Sequence, residues 1–257
     1  MVNNQPVGIF DSGIGGLSVA NAIYRLLPHE SLVYYADTGH VPYGPRTTAE
    51  IRDFSFDITE QLLGRGCKMI VLACNTATAA ALEALREHWP DVPFVGMEPA
   101  VKPAAAATQT GKVGVLATLS TIRSERYTQL MERYANHIEV MENPCIGLVD
   151  LIEAGQLDSP QTRALLSDIV QPMLAADVDT LVLGCTHYPV LLPLLHQITG
   201  ENIHLIDPAP AVARQVARRL ATLHLAASDS HQPVYQFMAS GTFTNLSFLT
   251  EIPFEVV

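Results

Sequence analysis

Met69-Ile70-Val71-Leu72-Ala73-Cys74-Asn75-Thr76-Ala77-Thr78 decides the fold. A short run rich in Ile and Val is what a parallel strand covered on both faces looks like. It leads straight into Asn75 and Thr76, residue types that cap helices, and then into an Ala-rich helix former. The strand-to-helix junction falls on Cys74. Unpaired backbone N–H groups and the positive end of a helix dipole there favour thiolate. A second junction of this kind is Thr180-Leu181-Val182-Leu183-Gly184-Cys185-Thr186-His187-Tyr188-Pro189.

Outward from these two stretches, strands and helices alternate. Val7 to Phe10 reads as a strand, followed by the Gly-rich turn Asp11-Ser12-Gly13-Ile14-Gly15-Gly16 and a helix to about Leu27. That turn has neither the Gly-x-Gly-x-x-Gly spacing of a dinucleotide site nor the Lys of a P-loop. Ser31 to Ala36 is a second strand, emptying into the turn-rich loop Asp37 to Pro45. Thr48 to Leu63 is a helix with Ile51, Phe54, Ile58 and Leu62 on one face. Pro93 to Gly96, Val113 to Thr118, Ile138 to Met141, His204 to Ile206 and Val234 to Ala239 read as further strands. Ile122 to Tyr134, Pro160 to Ala175 and a stretch from Asp207 to about Leu220 read as helices, with a loop and short helix over Cys145 to Glu153 and a Ser/Gly/Thr loop in the tail.

The chain also repeats itself. Val7 to Ser12 matches Val113 to Thr118, Met69 to Thr76 matches Thr180 to His187, and Met97-Glu98-Pro99-Ala100 matches Ile206-Asp207-Pro208-Ala209. The spacings agree: 62 residues from Ser12 to Cys74 against 67 from Thr118 to Cys185, then 24 to Glu98 against 22 to Asp207. Alternating strands and helices make this an α/β protein. The repeat predicts two similar doubly wound parallel-sheet lobes related by pseudo-two-fold symmetry. The expected division is 1–98 with 207–257 for the lobe carrying Cys74, and 99–206 for the lobe carrying Cys185. Ligands of open parallel sheets bind beyond the carboxyl ends of the strands. Two facing lobes would therefore put one thiol on each side of a shared cleft, the expected active site.

Bulk properties narrow the function. The 257 residues are 48% hydrophobic, enough for a sizeable core, and no apolar run reaches the roughly 18–20 residues that span a bilayer. The N-terminal residues lack the pattern of a secretory signal, so a cytoplasmic protein with no membrane partner is expected. A net charge of −11 and the lack of a basic run argue against nucleic acid as a partner. The four cysteines Cys67, Cys74, Cys145 and Cys185 show no Cys-x-x-Cys spacing, so no metal site is expected. Cys67 and Cys145 read as ordinary core or loop residues.

Two thiols related by symmetry suit one kind of chemistry in particular. A stereocentre with an acidic hydrogen is inverted when a base removes the proton from one face and an acid supplies one to the other. The two groups exchange roles when the reaction runs backwards, so they should be alike. Cysteine qualifies because its pKa can be moved towards neutrality by its surroundings. The surroundings differ between the halves: Asp11 stands where the second half has Ala117, and His187 where the first has Thr76. Asp11 and His187 are therefore candidates for tuning the two thiols individually.

Asp11-Ser12-Gly13-Ile14-Gly15-Gly16, Pro42-Tyr43-Gly44, Ala73-Cys74-Asn75-Thr76-Ala77-Thr78 and Gly184-Cys185-Thr186-His187-Tyr188-Pro189 together resemble the glutamate racemases of the aspartate/glutamate racemase family. The resemblance runs from about residue 7 to 220, with four motifs in family order. It implies a racemase that needs no cofactor, interconverts L- and D-glutamate and supplies D-glutamate for peptidoglycan. By resemblance Cys74 and Cys185 are the acid/base pair. Asp11, Ser12, Tyr43, Gly44, Asn75, Thr76, Thr118, Thr186 and His187 hold substrate or tune the thiols, and Glu153 supports His187. One departure is Ala117-Thr118 where many relatives read Gly-Thr. A homodimer is common among bacterial members and is left open here.

The composition agrees. Lys68, Lys102 and Lys112 are the only lysines, none in a context suggesting a Schiff base, and no Arg falls in the matched motifs. Substrate carboxylates would then be held by hydroxyls, amides and backbone N–H groups at helix starts. Simpler roles exist for several residues: Asp11, Ser12, Asn75, Thr76 and Thr186 are natural helix caps, and Tyr43 is a natural turn aromatic. Rival functions are a racemase for aspartate or another acidic amino acid, a non-catalytic amino-acid-binding module, and a thiol oxidoreductase.

Overall fold

The computed structural model describes residues 3–242 and 249–257. The first half runs β1 (Val7–Asp11), α1 (Leu17–Leu26), β2 (Leu32–Ala36), α2 (Thr48–Gly64), β3 (Met69–Leu72), α3 (Asn75–His88) and β4 (Phe94–Val95). The second runs α4 (Val101–Ala107), β5 (Lys112–Ala117), α5 (Leu119–Ile122), α6 (Glu125–Tyr134), β6 (Glu139–Asn143), α7 (Leu148–Glu153), α8 (Pro160–Ala175) and β7 (Thr180–Gly184). A 3-10 turn (Tyr188–Leu191), α9 (Leu192–Thr199) and β8 (His204–Ile206) complete it. Then come α10 (Ala209–Thr222), β9 (Tyr235–Ala239) and β10 (Glu255–Val256). The part of the expected tail loop at 243–248 lies outside the described residues.

The strands form two parallel sheets, ordered β10-β9-β2-β1-β3-β4 and β6-β5-β7-β8. Four consecutive strands of the first sheet thus repeat the order of the second. The register repeats as well. Val7 lies opposite Met69 in the first sheet and Val113 opposite Thr180 in the second, the same pairs that the sequence repeat aligns. The match slips only at the last strand. Val71 pairs with Val95 and Val182 with Ile206, so Ile206 is equivalent to Val95 and not to Met97. Gly96 and Met97 are two extra residues between β4 and Glu98-Pro99, which is the whole difference between spacings of 24 and 22.

Burial explains the strand composition. Every residue of β1, β2, β3 and β7 is buried, because helices cover both faces of each sheet. The edge strand β6 is half exposed and correspondingly reads Glu-Val-Met-Glu-Asn. Helix starts follow their caps. In α2, Thr47 Oγ1 accepts from the Glu50 N–H while the Glu50 carboxylate accepts from the Thr47 N–H, a reciprocal capping box. The helix expected over Ile122 to Tyr134 is broken instead, because Ser124 accepts from the Tyr127 N–H and starts α6 afresh.

The chain passes between the lobes at Pro99 and again at Pro208. After β4, α4 seats Val101 and Ala104 in the core around β5 and β7. After β8, α10 returns to pack along α1, burying Val212, Ala213, Val216 and Leu220 in the first core.

Candidate active site

Cys74 caps α3 from an extended backbone (φ −146°, ψ 120°), as a residue between strand and helix must. Its sulfur accepts from the Ala77 N–H at 3.4 Å and its S–H donates to Ser12 Oγ at 3.9 Å. Burial and then the Asp11 carboxylate push this thiol well above its ordinary range, outweighing the Ala77 N–H. The helix start alone therefore does not yield a resting thiolate, contrary to the expectation from sequence. Asp11 itself is fully buried. One carboxylate oxygen accepts from the N–H groups of Gly16 at 2.9 Å and Gly13 at 3.3 Å, and the other from Thr186 Oγ1 at 3.3 Å. Burial raises its pKa, and the nearby His187 opposes that rise.

Cys185 ends β7 but does not start an α-helix. Pro189 follows within a 3-10 turn, and the neighbouring groups do the work that a helix terminus does for Cys74. His187 Nδ1 stands 3.7 Å from the sulfur, and His187 Nε2 stands 2.5 Å from Glu153 Oε1. The same Glu153 oxygen accepts from the Ile14 N–H at 2.9 Å, across from the first lobe. Burial alone would pull His187 down. Cys185, Glu153 and Asp11 together outweigh it and hold the imidazole well above its ordinary value. As a cation it donates from both nitrogens, to the sulfur and to the carboxylate. The Gly-rich turn fits only as glycine: a Cβ at Gly13 would lie 1.9 Å from Glu153 Oε1, and one at Gly15 would lie 2.4 Å from His187 Nδ1.

Both sulfurs line one cavity of about 220 Å³. Ser12, Tyr43, Gly44, Asn75 and Thr76 wall it from the first lobe, and Thr118, Thr186, His187 and Tyr188 from the second. The wall contains no Lys or Arg among the described residues. Asn75 is buried with neither its amide nitrogen nor its amide oxygen partnered among them. An unmatched buried amide of this kind costs about 1–3 kcal/mol unless something in the cavity meets it. Thr76 and Thr118 Oγ1 lie 2.9 Å apart across the cleft, and Thr121 Oγ1 is within 3.0 Å of Thr118 and 3.3 Å of Thr76. Tyr43 presents its ring, since its hydroxyl donates to Asp37 Oδ2 at 2.5 Å. Asp11 and Glu153 stand behind the wall, reaching the cavity through Thr186 and His187.

The family model for Asp/Glu/hydantoin racemases matches residues 16–216. A glutamate racemase of Ectopseudomonas mendocina is 55% identical over 239 residues, covering 93% of this chain and 90% of that protein. Among solved structures, the Francisella tularensis glutamate racemase in complex with D-glutamate superposes with a TM-score of 0.83 at 30% identity, over 99% of this chain and 97% of the other. The Escherichia coli glutamate racemase in complex with L-glutamate and the activator UDP-MurNAc-Ala superposes at 0.80 and 36% identity, over 92% and 90%. The chain belongs to the Asp/Glu racemase family, among the glutamate racemases.

For a member of that family, three groups at the site escaped the sequence reading. Thr121 joins the Thr76–Thr118 pair one helical turn after Thr118, a spacing that a Thr-x-x-Thr pattern at a helix start could have flagged. Cys145 is buried as expected of a core thiol, yet it also lines the cavity. It sits in the left-handed region (φ +46°), and burial pushes its thiol up to about 12. Tyr188 packs beside both second-lobe thiols, and nothing in its sequence context distinguishes it from an ordinary core aromatic.

Proposed function

We propose that this glutamate racemase works by two-base proton transfer between Cys74 and Cys185, without a cofactor, and that it supplies D-glutamate for peptidoglycan. The observation that supports the reading is one common cavity lined by both Cys74 and Cys185, each at the end of an equivalent strand. In one direction the Cys185 thiolate, paired with the His187 cation, removes the α-proton while the protonated Cys74 delivers one to the opposite face. In the other direction the roles exchange. Burial and Asp11 keep Cys74 as the thiol, which suits it as the acid in the first of these directions, and the imidazole beside Cys185 suits that sulfur as the acceptor.

Substrate carboxylates fall to neutral donors. The Asn75 amide, the hydroxyls of Ser12, Thr76, Thr118 and Thr186, and the free N–H groups at the start of α3 are the groups available. These dipoles, not the net charge of −11, set the potential an anionic amino acid meets. Thr186 and His187 hold substrate and tune the thiols together with Asp11, and Glu153 supports His187. We take 1–98 with 207–257 as one lobe and 99–206 as the other, so substrate enters where the lobes part and chemistry proceeds where water is excluded.

The decisive experiment incubates the protein with L-glutamate alone in deuterated water, following optical rotation and α-hydrogen exchange. Loss of rotation together with deuterium at the α-carbon is expected. Faster exchange of L-aspartate under the same conditions would assign the substrate differently, and no exchange of either would reject racemisation.

A further inference from the structure

Tyr188 is buried to 1% exposure, and its hydroxyl has no hydrogen-bond partner within ordinary geometry among the described residues. A buried phenol normally finds one. Its ring packs in the same cluster as Cys145 and Cys185, it lines the cavity with them, and its hydroxyl interacts with both sulfurs. Cys145 donates its S–H to the Asn143 carbonyl at 3.4 Å, and as a neutral thiol its sulfur is only a weak acceptor for the Tyr188 hydroxyl. Of the two sulfurs, only Cys185 becomes negative in the reaction. A thiolate is the acceptor that an unpartnered O–H lacks, and a charge-assisted bond is roughly twice as strong as a neutral one.

We propose that Tyr188 is a positioning residue for Cys185, donating its hydroxyl hydrogen bond to the Cys185 thiolate whenever that sulfur holds the charge. The second-lobe base then has two donors, His187 and Tyr188, whereas Cys74 has the Ala77 N–H. The proposal rests on the reading of Cys185 as a proton acceptor, and it explains why a hydroxyl stays buried beside two sulfurs instead of a phenylalanine ring. The other titratable groups around Cys185 and its cavity are Cys145 and Asp150 at α7, Glu153 behind His187, and Tyr43, Cys74 and Asp11 from the first lobe. Of these, Cys145 also interacts with the Tyr188 hydroxyl, which is why a Cys145 variant accompanies the test.

The test is Tyr188→Phe, which keeps the ring. Alkylation by iodoacetamide is followed against pH by peptide mass spectrometry, with Cys74 in the same sample as the internal comparison. The midpoint for Cys185 is expected to rise by about one pH unit while that for Cys74 stays. The neutral-pH kcat should fall about tenfold and recover at higher pH, with KM little changed. An unmoved Cys185 midpoint overturns the proposal even if activity falls, because the loss then belongs to packing. Cys145→Ala is the second variant: it loosens the same cluster but leaves the hydroxyl to Cys185, so the midpoint should hold or fall. A rise matching that of Tyr188→Phe would overturn the proposal too. Alkylation needs no turnover, so a failed racemase reading and a failed role for Tyr188 give different results.

Discussion

Cys74 and Cys185 end equivalent strands in sheets of the same order and register, and they differ in the charge that stands beside them. The first faces a buried carboxylate and an α-helix start; the second faces an imidazole backed by a carboxylate, ahead of a 3-10 turn. Duplication supplied two sulfurs in like positions. The substitutions around them, Asp11 against Ala117 and Thr76 against His187, put a carboxylate beside one sulfur and an imidazole beside the other. Symmetry in the scaffold brings both cysteines to one cavity, and asymmetry in the neighbouring charges gives them different surroundings.

The harshest way to break this comparison is to remove one sulfur at a time. Cys74→Ser and Cys185→Ser should each lower racemisation by about 10³-fold or more, in line with the loss of a positioned acid or base. Each variant keeps one working face, so one should still wash deuterium into one enantiomer and the other into its mirror image. If both variants label the same enantiomer, the sulfurs do not act on opposite faces.

A gentler cut leaves the sulfurs and removes the imidazole. His187→Asn should lower kcat about 10²-fold near neutrality and raise the alkylation midpoint of Cys185 but not of Cys74. It also has a stability signature. A raised native pKa means that the charged imidazole contributes stability in full below its ordinary value of 6.5, and that this is lost as pH rises through the native value. Urea melts should therefore show His187→Asn more destabilised at pH 6 than at pH 9; the reverse order would mean a neutral histidine.

Asn75→Ala separates substrate holding from tuning. Its amide makes no internal bond among the described residues, so the variant should melt no lower than the parent while KM rises about tenfold. A lower melting temperature with unchanged KM would return Asn75 to a structural role. The smallest effect is expected outside the cleft. Asp179 accepts from the hydroxyls of Thr108 and Thr180 and the N–H groups of Gln109 and Thr110. Those bonds outweigh burial and hold its carboxyl at about 2. The stability it adds is present above its ordinary value of 3.8 and lost as pH falls towards 2. Asp179→Asn should cost about 1 kcal/mol at pH 7 with kcat and both alkylation midpoints unchanged.

Much of this was legible in the residues. Strands buried on both faces leave apolar runs that cannot be missed, and an internal repeat gives both the lobes and the sulfur pair. What stayed hidden depends on contacts between segments distant in the chain. Asp11 and Glu153 were named from sequence, Glu153 only through the family resemblance, but their bonds to Thr186 and His187 exist only in the fold. The dipole argument at Cys74 was sound for the helix and silent about the depth of burial and about Asp11, 63 residues earlier, which together reverse its outcome. The two-residue slip after β4 is invisible without the register, because Glu-Pro and Asp-Pro look equivalent as text. β10, with two residues, is too short to leave a pattern.

The double passage of the chain at Pro99 and Pro208 has a mechanical corollary. A body joined to another by one strand can swivel and twist; joined by two, it behaves like a door on a pair of pins. Here two covalent links, each with one φ fixed by a proline ring, join the halves, and bonds such as Ile14 N–H to Glu153 span the space between.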